Sequence, residues 1–190
     1  SGERLEYAAT SSLSGVSYSW ERAVVSDIDN VVGSGNGATI RETLINKVNT
    51  PVDVTYKIAM LANGCRDTQD VVVTVYPKPV LTSTLNPTGI CSGATFDYTP
   101  AINVSGSNYN WTRIYVNGIE ETEISGNNVK MQEVLTNSST SPITVRYNIT
   151  LESPNGCVNT QDVRVEVSPK PILSSSLTPN PVCSGGTFTY

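Results

Sequence analysis

Val52, Val54, Tyr56, Ile58 and Met60 alternate with Asp53, Thr55, Lys57 and Ala59. A period of two predicts a long strand with one face turned toward a core. Val71, Val73 and Val75 alternate in the same way, and Asn63-Gly64 between the two runs suits a hairpin turn. Both runs recur downstream, as Ile143, Val145, Tyr147, Ile149 and Leu151, then as Val163, Val165 and Val167. Shorter alternating stretches predict strands at 5–9, 16–22 and 39–44, with counterparts at 96–99, 109–115 and 129–135. Residues 80–85 read as an opening strand. Residues 40–46 also have room for a helical turn, but no segment carries a long amphipathic helical pattern. Strands spaced by turns point to all-β units of two packed sheets.

The recurrence is a repeat with a period near 92 residues. Tyr76-Pro-Lys-Pro-Val-Leu81 returns as Ser168-Pro-Lys-Pro-Ile-Leu173, and Cys91-Ser-Gly-Ala-Thr-Phe-Asp-Tyr98 as Cys183-Ser-Gly-Gly-Thr-Phe-Thr-Tyr190. Asn-Gly-Cys65 matches Asn-Gly-Cys157, and a Thr-Gln-Asp triplet follows each, at Thr68 and Thr160. Trp20 and Trp111, Leu44 and Leu135, Pro51 and Pro142, and Tyr56 and Tyr147 are instead offset by 91. One residue is therefore inserted between 153 and 156, in a hairpin loop where insertion costs little. The expected organisation is an incomplete repeat over 1–78, a complete one over 79–170 and the start of a third over 171–190. Ser1-Gly2 takes the place of Ser92-Gly93, so the chain is expected to begin one residue after a Cys and to be part of a longer array. The Pro77-Lys78-Pro79 and Pro169-Lys170-Pro171 junctions fix two φ angles in three residues and read as stiff, short links.

Composition narrows the functional classes. Charged residues make up 15% of the chain, and Ser, Thr and Asn take up the shortfall. The net charge is -5 with no basic stripe, which argues against a nucleic-acid partner. No apolar run approaches the length needed to span a bilayer. The chain has no His, so Ser/His and Cys/His nucleophile pairs and imidazole metal ligands are excluded. Asp27 and Asp29, and Glu120, Glu121 and Glu123, lie in equivalent loops without an EF-hand spacing. They read as solvated loops, with a weak Ca²⁺ site as the lesser alternative. Sequons at Asn103, Asn110, Asn137 and Asn148 arise readily in Asn/Thr-rich sequence. The expectation is a protein with no catalytic, cofactor or metal site.

Four Cys remain. Cys91 and Cys157 belong to one repeat, and a bond between them would contribute roughly 4 kcal/mol through loop closure. The alternative is two buried free thiols. Cys65 and Cys183 would then have partners outside the chain. Disulfides would in turn imply an oxidising, extracytoplasmic location. Trp20 and Trp111, with Tyr56 and Tyr147, repeat in register on alternating strands and are expected in the core, against an exposed sugar-stacking role for the Trp pair.

The shared frame is the Pro-x-Pro junction, Ile90-Cys91-Ser92-Gly93 through Tyr98, Trp111, Leu135 with Asn137, Val145 to Ile149, and Gly156-Cys157. The first repeat carries Tyr7, Trp20, Leu44, Asn46, Val54 to Ile58 and Gly64-Cys65 in the same order. This frame resembles the PKD-like repeats of very large Bacteroidetes surface proteins, including gliding-motility adhesins of the SprB type. The Trp-Asp-Phe-Gly-Asp-Gly signature of ordinary PKD domains is absent. The resemblance implies tandem Ig/PKD-like β-sandwich domains joined by short Pro-rich links. It implies export by type IX secretion to the bacterial cell surface in association with the outer membrane. It implies as partners polysaccharide or solid surfaces and the secretion or motility machinery, with no membrane insertion by this segment. The function it implies is adhesion linked to gliding, or alternatively a passive spacer that projects another module.

Overall fold

A computed structural model describes residues 2–189. Thirteen strands follow one another among these residues: β1 (Arg4–Ala8), β2 (Ser17–Arg22), β3 (Gly33–Asn36), β4 (Thr39–Thr43), β5 (Val52–Ala62), β6 (Cys65–Val75), β7 (Ile90–Cys91), β8 (Ala94–Tyr98), β9 (Asn108–Arg113), β10 (Ile124–Asn127), β11 (Met131–Leu135), β12 (Ile143–Glu152) and β13 (Val158–Ser168). In the first repeat β1 pairs with β4, and the second sheet runs β3-β2-β5-β6. In the second repeat β8 pairs with β11, and the second sheet runs β10-β9-β12-β13-β7. The all-β sandwich expected from the alternation is the fold that forms. Residues 39–43 are strand, with no helical turn.

The long strands supply the inner face at the predicted parity. Val54, Tyr56 and Ile58 of β5 are buried, as are Val145, Tyr147, Ile149 and Leu151 of β12. Each sandwich has its own core. One gathers Ile28, Ile40, Leu44 and the β5 residues, and the other gathers Leu81, Phe96, Met131, Leu135 and the β12 and β13 residues. Tyr56, Tyr147 and Trp111 are buried, whereas Trp20 is half-buried at the edge of its core. Each Trp meets its Tyr edge-on, with ring centroids 5.8 Å apart in both repeats.

Hairpins show the inserted residue directly. In the first repeat Ala62 faces Cys65 across Asn63-Gly64, and both turn residues have positive φ, as a tight two-residue turn requires. In the second, Ser153 N donates to the Cys157 carbonyl at 2.9 Å and three residues, Pro154 to Gly156, form the tip. Elsewhere the opening segment departs from the predicted strand. Leu81 makes one isolated bridge to Ile102, and regular pairing begins only at β7.

The Cys91–Cys157 bond expected from the sequence does not form. β7 runs parallel to β13, with Cys91 opposite Ser168 at the far end of that strand. Cys157 immediately precedes Val158, at its near end. Eleven residues of strand separate the two sites by roughly 35 Å, whereas a disulfide needs Cα atoms within about 7 Å. All four Cys are free thiols. The same geometry rules out the corresponding in-repeat partner for Cys65. The tip of the hairpin and the opening motif stand at opposite poles of each sandwich.

Candidate functional site

The most chemically organised groups lie between the sheets. Arg22 shares the parity of Trp20 on β2 and therefore points inward, opposite Tyr56 on β5. Its guanidinium meets Glu42, from the opposing sheet, through Nε at 2.9 Å and an N–H at 3.1 Å. The Tyr56 hydroxyl donates to the same carboxylate at 2.5 Å. Arg113, Glu133 and Tyr147 repeat the arrangement, with Arg–carboxylate contacts of 2.7 and 2.8 Å. Each Arg also donates to a carbonyl of the loop that follows its strand, Val31 or Thr122. Burial alone would push the Glu42 carboxyl up, but hydrogen bonds from Arg22 and Tyr56 and the Arg22 charge together hold it below the ordinary carboxylate value. Burial, and then the bond to the carboxylate, push both tyrosines well above the ordinary phenol value. The buried polar side-chain atoms of this triad all have partners, and it ties the two sheets together, while an open depression of about 490 Å³ lies beside Arg22.

Acidic loops prove to be structural as well. Ile28 and Ile119 are buried and bridge to Asn46 and Asn137, which fastens each loop to the sandwich. Glu121 accepts the Thr136 N–H at 2.8 Å, the role Asn30 plays toward Ile45 N in the first repeat. Asp27, Asp29, Glu120 and Glu123 face solvent. Among the described residues no three His, Cys, Asp or Glu side chains come close enough to hold a metal ion. Asn137 is itself a buried clamp, its amide donating to the Ser141 and Val167 carbonyls at 2.8 and 2.7 Å, and Asn46 binds Thr50 and Val75 in the same way. A sequon at Asn137 is thus closed to modification in the folded repeat.

What remains for contact with a partner is the outward face of the larger sheet. Cross-strand register places Ser19, Glu21, Ser34, Asn36, Lys57 and Thr68 on one surface of the first repeat. The second repeat presents Asn110, Thr112, Ser125, Asn127, Asn148 and Thr150 on the corresponding surface. A shallow depression lies on each, around Asn36 and Ala59 in one case and around Asn127 and Thr150 in the other. These surfaces are rich in hydroxyl and amide groups, which both donate and accept hydrogen bonds.

A model of the PKD-like domain matches residues 1–79 and 88–171. The chain belongs to the PKD-like domain family. A comparison with curated protein sequences returned no match. Among solved structures the chain is similar to that titled "Crystal structure of Dpr11 IG1 bound to DIP-gamma IG+IG2", at 14% identity and a TM-score of 0.28, over 88% of this chain and 91% of that one. No helix among the described residues is long and apolar enough to cross a membrane.

The two PKD-like repeats meet through a clamped link. Pro77 and Pro79 are buried. Asn103 accepts the Val80 N–H at 2.7 Å and donates to Asn49 of the first repeat at 2.7 Å. Asn159 donates to the Pro79 carbonyl at 2.9 Å, and Gln161 accepts the Leu81 N–H at 2.7 Å. Backbone groups that a flexible linker would leave to water are held here by the second repeat.

Proposed function

We propose that these repeats are a segment of a large extracellular adhesin on a bacterial surface, exported by type IX secretion, associated with the outer membrane and serving attachment and gliding. The observation that carries this reading is the recurrence, on the same sheet of both repeats, of an outward face rich in Asn, Thr and Ser, joined in the first repeat by Glu21 and Lys57. Such a face suits weak hydrogen bonding to polysaccharide or to a hydrated solid surface. A clamped junction that sets successive faces in series converts weak single contacts into avidity. The low charge supports the same reading.

The test is retention of beads that carry arrays of increasing repeat number on polysaccharide and glass under flow. Retention that rises steeply with repeat number is the expected result. Beads that wash away at every repeat number would overturn it and leave the segment a stalk that projects a binding or enzymatic module.

A further inference from the structure

Cys65, Cys91 and Cys157 sit at poles of the two sandwiches. The hairpin Cys (65, 157) stands at the pole where a repeat meets its predecessor. In the second repeat the opening Cys91 lies opposite Ser168, at the pole facing a successor. Across the one junction described in full, Cys157 lines a cavity of about 250 Å³ together with Leu5, Leu44, Val75 and Tyr76 of the first repeat. Cys157 is half-buried there, while Cys65, at the free tip of the first repeat, is exposed.

Tyr76 is the counterpart of Ser168, which lies opposite Cys91. The register of the opening motif holds in the first repeat as well. Gly2 N donates to Leu44 O at 2.8 Å, as Gly93 N donates to Leu135 O at 2.7 Å. By that register the position equivalent to Cys91 lies next to Tyr76, at the mouth of the cavity that Cys157 lines.

We propose that the cysteines form disulfides between repeats, with the opening Cys of each repeat bonded to the hairpin Cys of the next. Cys157 pairs with the opening Cys of the repeat before it, and Cys91 with the hairpin Cys of the repeat after 79–170. This pairing places no two of Cys65, Cys91, Cys157 and Cys183 together, in keeping with four free thiols in this chain. Each bond forms by thiolate attack on a disulfide-carrying oxidant, then by attack of the second thiolate on the mixed disulfide. Two thiols lose two protons and two electrons, and the oxidant leaves as its dithiol. The extracellular reading enters only as the source of that oxidant.

The experiment extends the full chain by Ile-Cys ahead of Ser1, copying Ile90-Cys91, and oxidises it with glutathione disulfide. Peptide mapping under non-reducing conditions should show the added Cys joined to Cys157. Thiol labelling of Cys157 should fall to background while Cys65, Cys91 and Cys183 remain labelled. The Cys157→Ser change should abolish the crosslink, and Cys65→Ser should leave it intact. A bond from the added Cys to Cys65, or an added Cys that stays free while Cys157 labels like an exposed thiol, would overturn the proposal. Neither result depends on bead retention, so the crosslink and the adhesin reading fail separately.

Discussion

Of the two sandwiches, the second is described together with the arm that covers its edge, and the first without it. In the second repeat, residues 79–91 run along the sheet edge. Leu81 and Ile90 pack on the core, Leu85 accepts the Arg164 N–H at 2.9 Å, and β7 pairs with the end of β13. The described residues of the first repeat hold no counterpart of this arm. The effect appears in matched positions. Val163, Val165 and Val167 are fully buried, while Val71 and Val73 are half-buried. Phe96, Tyr98 and Trp111 are buried, while Leu5, Tyr7 and Trp20 are half-buried. Tyr56 and Tyr147, deep in the long strand, are equally buried in both. The comparison separates a central layer that each repeat completes alone from an edge layer that depends on the arm.

The largest test of that division acts on the triads. Glu133→Ala strands Arg113, whose side chain is wholly inaccessible, and should cost about 3–5 kcal/mol. Glu42→Ala should cost less, because the Glu42 side chain retains 16% exposure against 8% for Glu133 and admits water to the orphaned guanidinium. Urea unfolding read through Trp fluorescence, in variants that keep one Trp at a time, reports each repeat separately. Equal losses in the two repeats would contradict the difference in closure.

A smaller effect follows from loosening the arm. Leu81→Ala should cost about 2–3 kcal/mol in the second repeat and leave the first unchanged. Amide exchange along β13 should then approach the rates found in β6. Protection of β13 that survives the change would show that the arm is not what buries its valines.

Smallest is an effect of pH at the first triad. The Glu42 carboxyl titrates below its ordinary value in the folded repeat, so its contribution is present above that value and is lost as pH falls through the folded one. The thermal midpoint of the first repeat should hold steady down to the ordinary carboxylate range and fall below it. Glu42→Gln should flatten that fall. A midpoint unaffected by Glu42→Gln at every acid pH would place the acid sensitivity elsewhere.

Much of this architecture was legible in the alternation of Val52–Met60 and its copy, because a half-buried strand writes its inner face at every second residue. β3, β7 and β10 were not. β3 and β10 read Gly-Ser-Gly-Asn and Ile-Ser-Gly-Asn, residues with little preference for strand. Their glycines are required by the neighbouring indole, since a Cβ at Gly35 or Gly126 would lie 2.7 or 2.6 Å from Trp20 or Trp111. The triads escaped notice because an Arg in a strand is ordinarily read as outward. The available signal was parity: Arg22 and Arg113 sit two residues after a core Trp, and Glu42 and Glu133 recur at the same offset of 91. The disulfide was misplaced for a different reason. Membership of one repeat says nothing about which pole a residue occupies, and only the parallel pairing of β7 with β13 reveals it.

That parallel pair also decides how a repeat responds when the array is pulled along its length. The arm enters from the preceding repeat, and β13 leaves toward the following one. Tension between anchored ends therefore drags β7 and β13 in opposite directions along their shared axis. Hydrogen bonds that lie across the direction of pull are loaded together rather than peeled one after another. The short patch from Ile90 to Ser92, bonded to Val167 and Ser168, thus acts as a shear clamp in front of the remaining strands. Under such a load the sandwich yields only after that patch gives way.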